Sequence, residues 1–142
     1  MGKLEGDLYI NNKKYTNLRS ATSSTESPFY AFVMQDDYHN PMLTVKETLT
    51  FAAMLRKRTS NSADVTSYVD NIIELLGLQK IANEYVNTPE ARTLSNGQLR
   101  RLSIGVEVVC APSLIFCDEP TSGLDSYLAL SVVNSLKSLA KV

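Results

Sequence analysis

No apolar run in these 142 residues approaches the roughly 18 that a helix needs to cross a bilayer. The opening MGKLEGD also lacks the apolar centre of a signal peptide. A membrane role would therefore come from elsewhere in a larger chain or from a partner. Cysteine is scarce: Cys110 and Cys117 lack C-x-x-C spacing, and no histidine lies near them to complete a zinc site. Both lie in or beside apolar segments and read as reduced core residues of a cytosolic compartment. An excess of one charge is missing too. Fourteen Lys and Arg nearly balance fifteen Asp and Glu, for a net charge of −1. That excludes a nucleic-acid footprint or a polybasic membrane patch. The run Arg56-Lys57-Arg58 reads as a solvated helix end, where cations suit the dipole. Histidine occurs once, as His39, and reads as a surface loop residue without a role. There are no repeats and no low-complexity tract.

What is present suits one buried core. At 44% hydrophobic, the chain reads as one domain or part of one. Leu8-Tyr9-Ile10 reads as a short strand turning at Asn11-Asn12, and residues 20–28 as a polar loop. The aromatic and β-branched run Phe29 to Met34 has strand length. Beyond Pro41, Thr44 and Glu47 have capping-box spacing and open a helix with Val45, Leu49, Ala52 and Leu55 on one side. Residues 59–63 interrupt it. A second helix carries Val65, Val69, Ile72, Ile73 and Leu76, with Gly77 placed to end it and Leu78 to pack back. A third opens at the capping-box pattern Ser95 to Gln98, with Leu99, Leu102, Val106 and Val109 as its stripe, and Pro112 closes it. Leu114 to Cys117 reads as a strand buried on both faces. Leu128, Val132, Leu136 and Leu139 mark a last helix. The fold class is α/β, with a helical middle between two strand-bearing ends.

Two segments carry chemistry. Asp118 and Glu119 follow an apolar strand directly, at the carboxyl edge where open α/β sheets bind ligands. One carboxylate can hold Mg²⁺ through water while its neighbour polarises an attacking water, as hydrolysis of a nucleotide γ-phosphate requires. Taken alone, the pair reads as a strand ending in a solvated acidic turn. Ser95-Asn96-Gly97-Gln98 starts a helix, where unpaired N–H groups and the dipole favour anions and a glycine lets a phosphate approach. Taken alone, it is an ordinary N-cap.

The joint order of these segments resembles a known family. Leu94 to Gln98 is similar to the LSGGQ signature of the ATP-binding-cassette (ABC) ATPases, and Leu114 to Glu119 to their Walker B strand. DEPTSGLD, ending at Asp125, resembles the Walker B/D-loop junction, and residues 34–37 the Q-loop. The strings YAFVMQDD, LTVKETLTFAAMLR, RRLSIGVE and PTSGLDS resemble the G subfamily, the pigment-precursor, sterol and multidrug half-transporters. The resemblance covers essentially the whole chain. It implies a partial P-loop NTPase-like nucleotide-binding domain over residues 1–142, with a helical subdomain over about 44–110 between Q-loop and signature, and Walker B and D-loop over 114–125. The implied ligands are ATP and Mg²⁺. Gln35 would sense the γ-phosphate and Mg²⁺ and relay that state to the membrane domain. Ser95, Asn96, Gly97 and Gln98 would contact ATP held by a second nucleotide-binding domain. Asp118 would position Mg²⁺, Glu119 would act as general base, and Ser122, Gly123 and Asp125 would meet the partner domain. The implied place is the cytosolic face of a membrane.

Three departures qualify the resemblance. The third signature position is Asn96 rather than glycine, which narrows the room for a phosphate. No G-x-x-x-x-G-K-[ST] occurs, so a Walker A loop is absent from these residues, and so is the region of the switch histidine. The chain alone is therefore expected to be inactive. It reads as a fragment of an ATP-driven transporter's ATPase. The alternative is a truncated, non-catalytic module that pairs with a complete nucleotide-binding domain. A soluble ABC ATPase of DNA repair or translation fits less well, because only 60 residues separate Gln35 from Ser95.

Overall fold

The computed structural model describes residues 6–10, 13–15, 30–56, 62–87 and 93–141. The predicted turn at Asn11-Asn12 and the loop over 20–28 lie outside these residues. Strand β1 (Leu8–Ile10) pairs antiparallel with β2 (Lys13–Tyr15), which the sequence had not suggested. Strand β3 (Tyr30–Val33) lies parallel to β4 (Leu114–Cys117), with Tyr30 opposite Leu114 and Val33 opposite Cys117. Between them in sequence come α1 (Val45–Arg56), α2 (Ser62–Leu75) and α3 (Asn96–Val108), and after β4 comes α4 (Ser126–Leu139). Helix α3 is the hub: it packs on β3, α1, α2 and α4.

Local signals explain the helix ends. The Thr44 N–H donates to Glu47 Oε2 at 2.8 Å, and the Glu47 N–H donates to Thr44 Oγ1 at 3.2 Å. This reciprocal cap satisfies two backbone donors at the helix start. The bonds that the Thr44 N–H and hydroxyl donate to Glu47 Oε2 hold the Glu47 carboxyl below its ordinary range, because they favour its charged form. At the end of α2, Gly77 has φ +64°, and the Leu78 N–H donates back to Ile73 O at 2.9 Å while Leu78 is fully buried. That is the six-to-one bond of a Schellman ending.

The chain past Gly77 folds back over the start of α1, which no local pattern had signalled. The N–H groups of Val45 and Lys46 donate to Glu84 O and Ala82 O at 3.1 and 2.8 Å, satisfying donors a helix start leaves free. One other expectation changes. Leu55 is 71% exposed, and Thr48 and Ala53 complete the buried side of α1 instead. Arg56 is the exposed last residue of α1, as its place in a basic run suggested, and it also holds Glu107 of α3 through Nη1 and Nη2, at 2.9 and 3.1 Å.

Strand β4 is only half-buried within these residues, and Phe116 is 38% exposed, so the expected burial on both faces is not met. Helix α3, by contrast, is buried over more than one stripe: Ile104, Gly105 and Val108 are inside as well as Leu99 and Leu102. Gly105 is what allows the three-helix junction. A Cβ there would lie 2.7 Å from Leu76 Cδ1 and 2.8 Å from Leu49 Cδ2, and both leucines are fully buried. Gly105→Val is therefore expected to destabilise the fold by about 3 kcal/mol through overpacking. The urea midpoint should fall at an unchanged slope; an unaltered midpoint would mean that the leucines can move aside.

Candidate active site

Parallel pairing brings two loops to one edge. The β3–β4 ladder ends with Val33 opposite Cys117, and the Asp118 N–H continues it by donating to Val33 O at 2.9 Å. Gln35 and Glu119 each stand two residues beyond that last pair. Although 84 residues apart in sequence, their side chains meet: Gln35 Nε2 donates to Glu119 Oε2 at 3.0 Å. Glu119 has φ +42°, a left-handed conformation that a non-glycine residue adopts at some cost. Asp118, Glu119 and Gln35 are all exposed at this edge, open to a ligand.

A network behind the edge holds the loop after β3. Arg100 of α3 is only 6% exposed. Its Nη1 donates to Met34 O at 2.7 Å, its Nη2 to Gln35 O, and Nη1 lies 3.3 Å from Asp37 Oδ1. Asp37 also accepts from Ser103 Oγ at 2.6 Å. That leaves the Ser103 lone pairs for His39 Nε2, 2.8 Å away. His39 is thus half-buried and bonded, not a bare loop residue. Burial lowers its pKa, and the pull of Asp37 in the other direction is the smaller effect. Sequence reasoning missed Arg100 and Ser103. The available signal was that apolar residues on α3 cover more than one face, leaving little surface for a charge between Leu99 and Leu102.

The predicted residues at the start of α3 are engaged in the helix itself. Ser95 Oγ accepts from the Gln98 N–H at 3.3 Å, and Gln98 Oε1 accepts from the Ser95 N–H at 2.7 Å. Ser95 and Asn96 are exposed, while Gly97 is buried. A Cβ on Gly97 would sit 3.1 Å from Leu128 Cδ2 of α4, so this glycine faces the neighbouring helix. Among the described residues, no hydrogen bond joins Ser95–Gln98 to Gln35, Asp118 or Glu119. The turn after Glu119 is closed by the Ser122 N–H donating to Glu119 O at 3.0 Å, with Gly123 at φ +70°. Asp125 caps α4, accepting from the N–H groups of Tyr127 and Leu128 at 2.9 and 3.0 Å. Ser122, Gly123 and Asp125 are exposed.

Among the described residues no three His, Cys, Asp or Glu side chains gather as a metal cage. Asp118 and the Gln35 amide, both exposed at this edge, are the groups that could hold Mg²⁺, which keeps its waters and takes phosphate oxygens beside one or two protein ligands. Both cysteines are free, as read from their spacing, and burial raises the pKa of Cys117 so that it stays a thiol. No helix among the described residues is long and apolar enough to cross a membrane.

Comparison with known proteins accords with this geometry. Residues 2–122 match the family described as ABC transporter. The chain is 48% identical over 141 residues to the ABC transporter G family member STR2 of Medicago truncatula, covering 99% of this chain and 18% of that protein. It is 43% identical over 141 residues both to the G family member STR of Petunia hybrida and to member 6 of Arabidopsis thaliana. Each alignment covers 99% of this chain, with 16% and 19% of those proteins. The chain thus spans less than a fifth of the length of these curated relatives. With 121 of its residues inside the family match, and relatives of one branch along its whole length, the chain belongs to the ABC transporter family, among its G family members.

Proposed function

We propose that this chain supplies the hydrolytic edge and signature face of a nucleotide-binding domain that drives a G-type ABC transporter. The observation that carries this reading is the Gln35–Glu119 hydrogen bond at adjacent strand ends, with Asp118 beside it. Glu119 is the general base that takes a proton from water attacking the γ-phosphate. Gln35 orients that carboxylate by hydrogen bonding. Asp118 and the Gln35 amide oxygen would hold Mg²⁺, and the ion would supply charge neutralisation of the phosphates. No G-x-x-x-x-G-K-[ST] phosphate loop occurs in the 142 residues.

Ser95–Gln98 serve a second nucleotide-binding domain. A helix start leaves N–H groups without intrahelical partners, and those at Asn96 and Gly97 would meet the γ-phosphate held there, with Ser122, Gly123 and Asp125 on the same dimer face. A membrane domain is the other partner. The outward side of α1, with Phe51 and Leu55 59% and 71% exposed, offers it an apolar surface on the cytosolic side of the membrane.

Asp118→Asn tests the metal assignment. In the complete nucleotide-binding domain, Mg²⁺-dependent ATP affinity should fall about tenfold or more through loss of the metal's carboxylate, with affinity in EDTA unchanged. Equal Mg²⁺ dependence in variant and wild type would remove Asp118 from the metal site.

A further inference from the structure

The side chain that holds Gln35 in place is itself part of the helix whose first turn serves the other domain. Arg100 lies one turn into α3, buried, and its fork spans two consecutive carbonyls, Met34 O and Gln35 O. Gln35 is exposed, and among the described residues its side chain bonds to Glu119. Its backbone direction therefore depends on β3 behind it and Arg100 beneath it. Asp37 neutralises the guanidinium, Ser103 holds Asp37, and His39 holds Ser103. The pieces make one train from α3 through the loop backbone to the Glu119 carboxylate.

We propose that Arg100 is a positioning residue for hydrolysis: it sets the Gln35 amide against Glu119 and makes that amide move with the start of α3. This rests on the roles proposed above for Gln35 and Glu119. A planar fork with several donors can hold two carbonyls in a fixed relation, whereas an ammonium is a point charge on a flexible stem. Arg100→Lys keeps the charge opposite Asp37 but loses the fork. Because Ser95–Gln98 and Arg100 share α3, a shift of that helix start on meeting a second nucleotide carries the Gln35 backbone with it. Arg100 thus links the nucleotide edge of this domain to the nucleotide it serves in the partner.

The test is a double-mutant cycle in the transporter that carries this chain, reading kcat, KM for ATP and melting temperature. Arg100→Lys should lower kcat about tenfold, as expected for losing paired charge-assisted hydrogen bonds, with KM within about twofold, since ground-state ATP binding is untouched. In a Gln35→Ala background, the same substitution should lower kcat less than about twofold further, because residues acting as one unit are not additive. Should Arg100→Lys fail to fold, Ser103→Ala provides the gentler variant, with a kcat loss of about threefold that again vanishes in the Gln35→Ala background. Full additivity, or a raised KM at unchanged kcat, would overturn the proposal and leave the function standing. Wild-type turnover in Gln35→Ala alone would overturn the functional reading, and this proposal with it.

Discussion

Glu119→Gln is expected to lower ATP turnover in the complete domain by at least about 100-fold while leaving ATP affinity and melting temperature unchanged. The reason lies in what the substitution preserves. Glu119 accepts a hydrogen bond from Gln35 Nε2 at 3.0 Å, and an amide oxygen in the same place still accepts it, without the carboxylate's charge. The left-handed backbone at φ +42° is no harder for Gln than for Glu. Only the basicity of the group is lost, and a general base contributes about 10²- to 10⁴-fold to such a step. Glu119→Asp gives the complementary result. It keeps a base but shortens the reach to Gln35, so its turnover should fall between the two. Phosphate release and ATP binding, measured side by side, decide the assignment. Wild-type turnover in Glu119→Gln would end the general-base role.

Gly97→Asp carries the second large effect, and two physical causes converge on it. The substitution sets a negative charge at a helix start proposed to meet a γ-phosphate, where the dipole favours the anion. It also places a Cβ 3.1 Å from Leu128 Cδ2 and 3.3 Å from Leu128 Cβ, tighter than ordinary packing. Turnover should fall to about 1% or less, the scale of losing a preorganised phosphate contact. Gly97→Ala separates the causes. With no charge, it should cost about 1 kcal/mol of stability from crowding and retain part of the activity. Leu128→Ala, by opening space, should restore the stability of Gly97→Ala without restoring the turnover of Gly97→Asp. If Leu128→Ala rescued both, the glycine would serve packing alone, and the phosphate role would be wrong.

Much of the secondary structure was legible because its signals are local. Thr44 with Glu47 and Ser95 with Gln98 cap their own helices across three residues. Gly77 and Leu78 end α2 within one turn. Asp118 and Glu119 mark the strand end they occupy, and the motif order was enough for the family. Reading one apolar stripe at a time failed where a helix is enclosed, as with α3, or where its outer side is itself apolar, as with Leu55.

The sequence by itself thus determined the caps that open α1 and α3, the glycine that ends α2, which strand end carries the carboxylates, and which family the chain joins, whereas α2 starts at Ser62, inside the segment read as an interruption. Only the tertiary structure decided that Gln35 touches Glu119, that Arg100 is buried beneath them, that residues 82–84 satisfy the start of α1, and that Gly97 and Gly105 answer to leucines on other helices. The physical reason is distance along the chain. Caps and turns are settled by backbone groups a few residues apart. A parallel ladder and a buried guanidinium depend on segments 65 or more residues away, whose approach is set by how the whole core packs.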